Sequence, residues 1–250
     1  MTSNCFSIKQ NNIRSSYVFL DGEEHHHLSR VARIKPGEKV WLFDERGTNY
    51  LARVEEVTKE KTRLAILERR VTPEPRVEIT LAQALIKSKK MNSIIQKATE
   101  LSVTTIIPVI TARTLVRIEE RAEKKLERWQ KIIKAAAKQS KISFLPSISS
   151  PVTLEKLVEE RDEAKKLVLS ENTGKYLRDI LVQGSGQDVK REELPSSVII
   201  LVGPEGGWTS EEEEYILDRG YEAVSLGRQV LRAETAALAS LAMISHFWNS

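Results

Sequence analysis

The sequence predicts two domains in one chain, a small β-barrel followed by an α/β domain built on a parallel sheet. Three observations predict it. Up to Arg70, short strand-like runs follow one another at close spacing, as in small all-β modules. Thr72-Pro73-Glu74-Pro75 then interrupts, and two prolines this close suit a stiff extended linker. From Ile79 onward, apolar strand-like runs alternate with helical ones, the pattern of a parallel sheet covered on both faces. The length of 250 residues allows two domains, and 40% apolar with 30% charged residues supplies a core.

In the first domain, one short helix is expected around Glu23 to Val31. Val40 to Phe43 reads as a strand, Glu45-Arg46-Gly47 as a turn, and Tyr50, Ala52, Val54 and Val57 as an alternating strand that Thr62 to Leu67 repeats. The boundary is placed at residue 72, giving domains 1–72 and 73–250. In the second, Met91, Ile94, Ile95, Ala98 and Leu101 line one face of a helix, flanked by strand-like Ile79 to Leu85 and Thr105 to Ile110. A longer helix is expected from Glu119 to Gln139, further strands at Lys166 to Leu169 and Val198 to Val202, and a surface loop over Gln183 to Ser197, with Gly184, Gly186 and Pro195. In such a sheet, ligands gather where strands end and helices begin.

Several chemistries are disfavoured. The single cysteine, Cys5, leaves no intrachain disulfide and no thiolate zinc spacing, which fits a reducing compartment. MTSNCFSIKQ lacks the basic start and apolar stretch of a secretory signal, and Ala236 to Trp248 is too short and polar to span a bilayer, so a cytoplasmic protein is expected. His25-His26-His27 does not suggest a metal site, because adjacent helical residues point about 100° apart. The other histidine, His246, has no nucleophile motif around it. Trp129 and Met91 read as core.

Charge is unevenly spread. Residues 83–146 carry 14 Lys+Arg against 5 Asp+Glu, whereas residues 147–250 carry 11 against 18. The basic block suits a polyanionic partner, since neutralising phosphates releases condensed counterions. A solvated helix face is the plain alternative, and Glu119 to Lys141 does contain supporting i,i+4 pairs.

The strongest local signal is Val198 to Val202 running into Gly203-Pro204-Glu205-Gly206-Gly207, then Trp208-Thr209-Ser210 and four glutamates. Thr209 or Ser210 can cap the next helix, with Glu212 or Glu213 completing a capping box. Glycines without side chains let backbone groups approach a ligand, although a tight strand-to-helix turn explains them equally well. No GxxxxGK[ST] or GxGxxG fingerprint exists, which argues against nucleotide hydrolysis and dinucleotide binding. Leu226-Gly227-Arg228-Gln229-Val230-Leu231-Arg232-Ala233-Glu234-Thr235-Ala236 again joins a strand, Ala223 to Leu226, to a helix. Two such junctions can line one pocket.

These motifs carry a resemblance over most of the chain. The sequence resembles the RsmE family of 16S ribosomal RNA uridine-N3 methyltransferases, of the SPOUT superfamily of S-adenosylmethionine enzymes. The matching stretches are His26-His27-Leu28 with Val31 and Arg33 before Gly37; Gln83 to Lys87; Ile95 to Leu101; Gln139-Ser140; Gly203 to Gly207; and Leu231-Arg232 with Glu234-Thr235-Ala236. Departures are Gln229 where arginine is usual, Ala233 for threonine, Asn92 for glutamate, and Ile142 at an often basic position, with Ala32, Lys90, Ser102 and Ala135 also unusual.

The resemblance implies an N-terminal PUA-like barrel for RNA and a C-terminal domain threaded through a deep trefoil knot, which pattern alone would not predict. It implies S-adenosylmethionine held by Leu169, Ser170 and Glu171, by Leu201, Val202, Gly203, Pro204, Glu205, Gly206 and Gly207, and by Leu226, Gly227, Val230, Leu231, Ala233 and Thr235. His26, His27, Arg30, Arg33, Lys87, Lys90 and Lys97 are expected on RNA, with 16S rRNA or the small ribosomal subunit as partner, in a homodimer with no metal and no membrane. Uridine N3 becomes nucleophilic only as an anion, and Arg232 is expected to stabilise that charge. Glu234 either orients Arg232, accepts the proton, or merely caps its helix. The alternatives are the same chemistry on another RNA, and an inactive ribosome-assembly protein that binds RNA.

Overall fold

A computed structural model of the chain describes residues 4–114, 122–183 and 194–249. The chain divides into two compact units, residues 1–74 with 137–145, and residues 75–136 with 146–250.

The first unit is a six-stranded sheet of β1 (Cys5–Ser7), β2 (Ile13–Arg14), β3 (Tyr17–Leu20), β4 (Lys39–Phe43), β5 (Thr48–Val57) and β6 (Thr62–Val71). The spatial order is β1-β4-β5-β6-β3-β2, antiparallel except where β1 lies parallel to β4. Alternation fixes the register. Val40, Leu42, Ala52, Val54 and Leu64 point into one core with Phe6, Val18, Leu20 and Leu28. The β5–β6 register shifts at Leu51/Ala52 and at Val54/Glu56, irregularities of the kind that bend and twist a long pair of strands.

The expected helix over 23–31 divides into α1 (Gly22–His26) and a π-helical turn, His27–Val31, ending at Arg33 with φ +54°. Of the three histidines, His25 is the buried one. Its Nδ1 lies 2.8 Å from Thr62 Oγ1 and its Nε2 3.3 Å from Lys59 O, so it packs α1 onto the β5–β6 turn. The expected turn at 45–47 is held by Asp44 Oδ1, which accepts from the amides of Arg46 at 3.0 Å and Thr48 at 2.9 Å. Gly47 has φ +99°, donates its amide to Ser143 O at 3.0 Å, and lies under the Phe144 ring.

The second unit follows the expected alternation. Its elements are β7 (Glu78–Ala84), α2 (Ser88–Glu100), β8 (Thr105–Ile110), α3 (Ala122–Ser140), β9 (Ser147–Ile148), β10 (Val152–Thr153), α4 (Leu154–Glu160), β11 (Lys165–Leu169), α5 (Leu177–Gln183), β12 (Ser197–Val202), α6 (Ser210–Leu217), β13 (Glu222–Val224) and α7 (Ala233–Asn249). The last residues of α3 group with the first unit. The start expected for that helix at Glu119, and most of the loop expected over 183–197, lie outside the described residues.

The sheet is parallel throughout, in the order β10-β8-β7-β12-β11-β13, with β9 beside β8. Strands β7 and β12 are buried almost end to end, as strands covered on both faces must be. Met91, Ile94, Ile95 and Ala98 supply the buried stripe of α2, and Ala237, Leu241, Ile244 and Trp248 that of α7. Asn249 ends α7 like a piece of strand: its Oδ1 accepts from Val77 N at 2.8 Å and its Nδ2 donates to Val77 O at 2.9 Å. No helix among the described residues is long and apolar enough to cross a membrane.

The Gly47–Phe144 contact leads to a test. A Cβ at Gly47 would lie 2.6 Å from Phe144 Cε1 and would force an unfavourable φ as well. Gly47→Ala should therefore cost about 2 kcal/mol or more in denaturant unfolding. Gly37, at φ +94° in open space, isolates the backbone part, and Gly37→Ala should cost about 1 kcal/mol.

Candidate active site

Because β11, β12 and β13 run parallel, their C-terminal ends lie on one edge of the sheet. Three chain segments leave that edge, and each is fixed to its neighbours by side-chain bonds.

The central segment is Gly203 to Gly207. It follows β12 and enters α6, whose N-terminus is closed by Thr209 and Glu212 in a full capping box. Gly207 has φ +69°, a backbone state that favours glycine. At Gly203 the Trp208 indole lies against the backbone, and Trp208 Nε1 donates to Leu169 O at 3.0 Å, tying this segment to the end of β11. From β7, the fully buried Gln83 donates Nε2 to Ala84 O at 3.0 Å and approaches Val202 O and Gly203 O at 3.4 Å. Arg113 donates Nη1 to Trp208 O at 3.0 Å and to Gly206 O, while Ala112 N donates to Glu212 Oε1 at 2.7 Å.

The segment after β11 is held by Glu213. Ser170 Oγ donates to its Oε1, Asn172 Nδ2 donates to its Oε2 at 3.0 Å, and Asn172 N donates to Ser170 Oγ at 3.0 Å. The third segment leaves β13. Ser225 Oγ donates to Gly227 O at 2.8 Å, and Ser170 N donates to Val224 O at 3.0 Å.

Together the three segments enclose a cavity of about 630 Å³. Of the residues expected there, Leu169, Ser170, Glu171, Val202, Gly203, Pro204, Glu205, Gly206, Gly207, Leu226, Val230, Leu231, Ala233 and Arg232 line it. Four of the expected site residues stand off the cavity wall. Leu201 is fully buried in the core, because a strand covered on both faces turns every second side chain away from the edge. Thr235 is exposed on α7 and off the cavity, since Ala233, two residues earlier on the helix, faces inward. Gly227 lines an adjoining hollow of about 320 Å³ with Tyr176, Arg178 and Arg228, which shares Ser225 and Leu226 with the cavity. Glu234 does not line the cavity either.

Glu234 instead belongs to a bridge. Lys90 Nζ, on α2, lies 3.3 Å from Glu205 Oε1 and 3.3 Å from Glu234 Oε2, so it joins the glycine segment to the start of α7. Lys90, expected on RNA, is thus engaged between two carboxylates. The Glu234 carboxyl is held below its ordinary range first by its own backbone amide at the helix start, then by Lys90, with Arg232 nearby adding to the effect. Glu211, at the start of α6, is lowered in the same way by its own amide and by Thr209.

Sequence reasoning missed Arg113, Asn172, Trp208, Glu213, Val224, Ser225, Gln229 and Ala236 on the cavity wall. Asn172, Trp208, Ser225, Gln229 and Ala236 adjoin or fall within recognised runs, so local extension would have found them. Glu213 lies in the recognised run of glutamates, where it reads as a cap, whereas Arg113 arrives through the fold and carries no local signal. The remaining expected RNA contacts fall in two places. His26, Arg30 and Arg33 are exposed along the 22–33 segment, where His27 meets the Phe6 ring edge-on at 5.3 Å. On the second unit, Lys87 is exposed and Lys97 pairs with Glu100 at 2.9 Å.

Residues 72–245 match the RNA methyltransferase domain family, and residues 20–67 match the RNA methyltransferase PUA domain. The fold and site therefore define a PUA-linked α/β RNA methyltransferase. The chain is 33% identical over 242 residues to ribosomal RNA small subunit methyltransferase E of Synechocystis, covering 93% of this chain and 74% of that protein. It is 32% identical to the Bacillus subtilis enzyme of the same name, covering 91% and 89%. A crystal structure of the Neisseria gonorrhoeae ribosomal RNA small subunit methyltransferase E bound to S-adenosyl methionine superposes with a TM-score of 0.85 at 32% identity, over 98% of each chain. A putative methyltransferase from Legionella pneumophila, in complex with the same bound cofactor, gives 0.84 at 31% identity over 98% of this chain and 97% of that one. The chain belongs to the ribosomal RNA small subunit methyltransferase E family.

The Lys90 bridge is directly testable. In Lys90→Met, amide hydrogen exchange should accelerate at 204–207 and 234–236 and stay unchanged in the first unit. The Glu234 titration, followed by carboxyl NMR, should move up only part of the way to its ordinary value, because the helix-start amide remains. Unaltered exchange and an unmoved titration would show that the bridge positions nothing.

Proposed function

We propose that the chain transfers a methyl group from S-adenosylmethionine to N3 of a uridine in the 16S ribosomal RNA of the small subunit. The observation that carries this reading is the cavity where three strand-end segments meet, with the Arg232 side chain on its wall. The methyltransferase names of relatives at about one-third identity, and the cofactor bound in two of the similar structures, support it.

The donor set suits this cofactor. Val202, Leu226, Leu231, Ala233 and Ala236 offer apolar wall for an adenine, and Glu171 and Glu205 offer carboxylates for hydroxyls or an ammonium. Backbone of 169–171, 203–207 and 226–231 would read the polar edges. When bound, S-adenosylmethionine supplies an electrophilic methyl group on a sulfonium.

The chain's own work is to prepare the nucleophile. Uridine N3 must lose its proton, and the resulting charge spreads over N3 and the flanking carbonyl oxygens. Arg232, exposed at the cavity and permanently cationic, can aim two donors at that anion. Glu234, held ionised by the start of α7 and by Lys90, is a weak proton acceptor, so its part is to fix the segment that carries Arg232. With uncharged Gln229 lining the cavity at the position where the resemblance implies arginine, Arg232 carries the electrostatic load.

The wider reading includes RNA contact through the PUA unit and the exposed basic side chains His26, Arg30, Arg33 and Lys87. It also includes a homodimer to which α7 contributes, the trefoil threading implied by the resemblance, and a cytoplasmic location. Arg232→Ala should lower the methylation rate on small-subunit RNA by about a hundredfold or more while S-adenosylmethionine affinity, measured by calorimetry, stays nearly intact. A normal rate, or loss of affinity in proportion to rate, would make Arg232 structural.

A further inference from the structure

Two aromatic rings of β3 lie outside the core of the first unit. In β3, Val18 and Leu20 point inward, so Tyr17 and Phe19 point outward, and Tyr17 is 39% exposed. Cations from three elements gather over these rings. Arg14, from β2, lies 5.8 Å from the Phe19 centroid, and Lys61, from the β5–β6 turn, lies 5.6 Å from it. Arg63, from β6, lies 5.6 Å from the Tyr17 centroid. Arg63 is partly compensated by Glu55 at 3.2 Å, whereas Arg14 and Lys61 form no ion pair among the described residues. The face borders α1, because Leu20 leads through Asp21 into that helix and His25 binds it to Lys59 O and Thr62 Oγ1.

We propose that Arg14, Tyr17, Phe19, Lys61 and Arg63 form a docking surface for unpaired RNA, in which bases stack on the two rings and the cations take the adjoining phosphates. The inference rests on the reading of the chain as an RNA methyltransferase and adds the recognition chemistry of its first unit. Arg14 and Lys61 bring positive charge that no ion pair among the described residues offsets, which matches a polyanion. A protein partner would favour an apolar centre depleted of lysine, which this face lacks. Rings interleaved with cations suit single strands, whose bases expose their faces; in a duplex those faces are already stacked on one another.

The test uses the full chain and a single-stranded RNA of about twelve nucleotides carrying 2-aminopurine, with a duplex of the same sequence as control. Tyr17→Leu with Phe19→Leu keeps the apolar area and removes the π faces. This variant should lose about tenfold or more in single-strand affinity, with loss of the stacking-dependent quenching of 2-aminopurine, and should bind the duplex as before. Tyr17→Leu alone, at an exposed position, carries the test should Phe19→Leu unfold. Arg14→Gln with Lys61→Gln should lower the salt dependence of binding by about two contacts. Unchanged single-strand affinity in the leucine variants, an equal loss on the duplex, or no binding of the probe by the native chain would overturn the proposal. The parent reading is judged separately. If the native chain binds the probe in this pattern yet methylates no small-subunit RNA, that reading fails and the surface stands; if methylation proceeds and the leucine variants bind normally, the surface alone fails.

Discussion

The site depends on the parallel pairing of β12 with both β7 and β11. That pairing sets Val202 beside Gln83 on one side and Leu201 beside Val168 on the other. It delivers the ends of these strands, with β13 one position further, to a common edge. A single antiparallel strand in this group would send one of the three segments to the opposite edge, and no common cavity would form. The interiors of β7 and β12 are largely aliphatic and nearly fully buried, so hydrophobic burial on both faces holds the centre of this arrangement.

On that frame, the segments owe their shape to bonds between neighbours rather than to their own sequence. Trp208 spans from the glycine segment to Leu169, Glu213 reaches Ser170 and Asn172, and Lys90 joins Glu205 to Glu234. Each bond links residues from different segments, so the loops are positioned as a set. The carboxylates at the starts of α6 and α7 stay ionised for a local reason, since each helix start offers its own amide.

The parts legible in the sequence were those encoded locally. The Val198 to Gly207 run showed its strand, its turn and its cap in order, and the capping box formed from Thr209 and Glu212. The spacing of Met91, Ile94, Ile95 and Ala98 likewise gave the buried side of α2. What escaped was set at a distance. Arg113 meets Gly206 across 93 positions, and Phe144 covers Gly47 through a return of the chain to the first unit. Leu201 adjoins the glycines in sequence, but burial on both faces of the sheet places its side chain in the core. The three histidines read alike in sequence, and only the β5–β6 turn selects His25 for burial.

The central claim is that three strand ends make one ligand site within the second unit. Hydrogen–deuterium exchange with and without S-adenosylmethionine tests it most directly. Protection should appear together at 169–172, 202–208 and 226–233, with the exchange of residues 4–74 unchanged. Protection confined to one of the three segments, or centred on another part of the chain, would contradict the account.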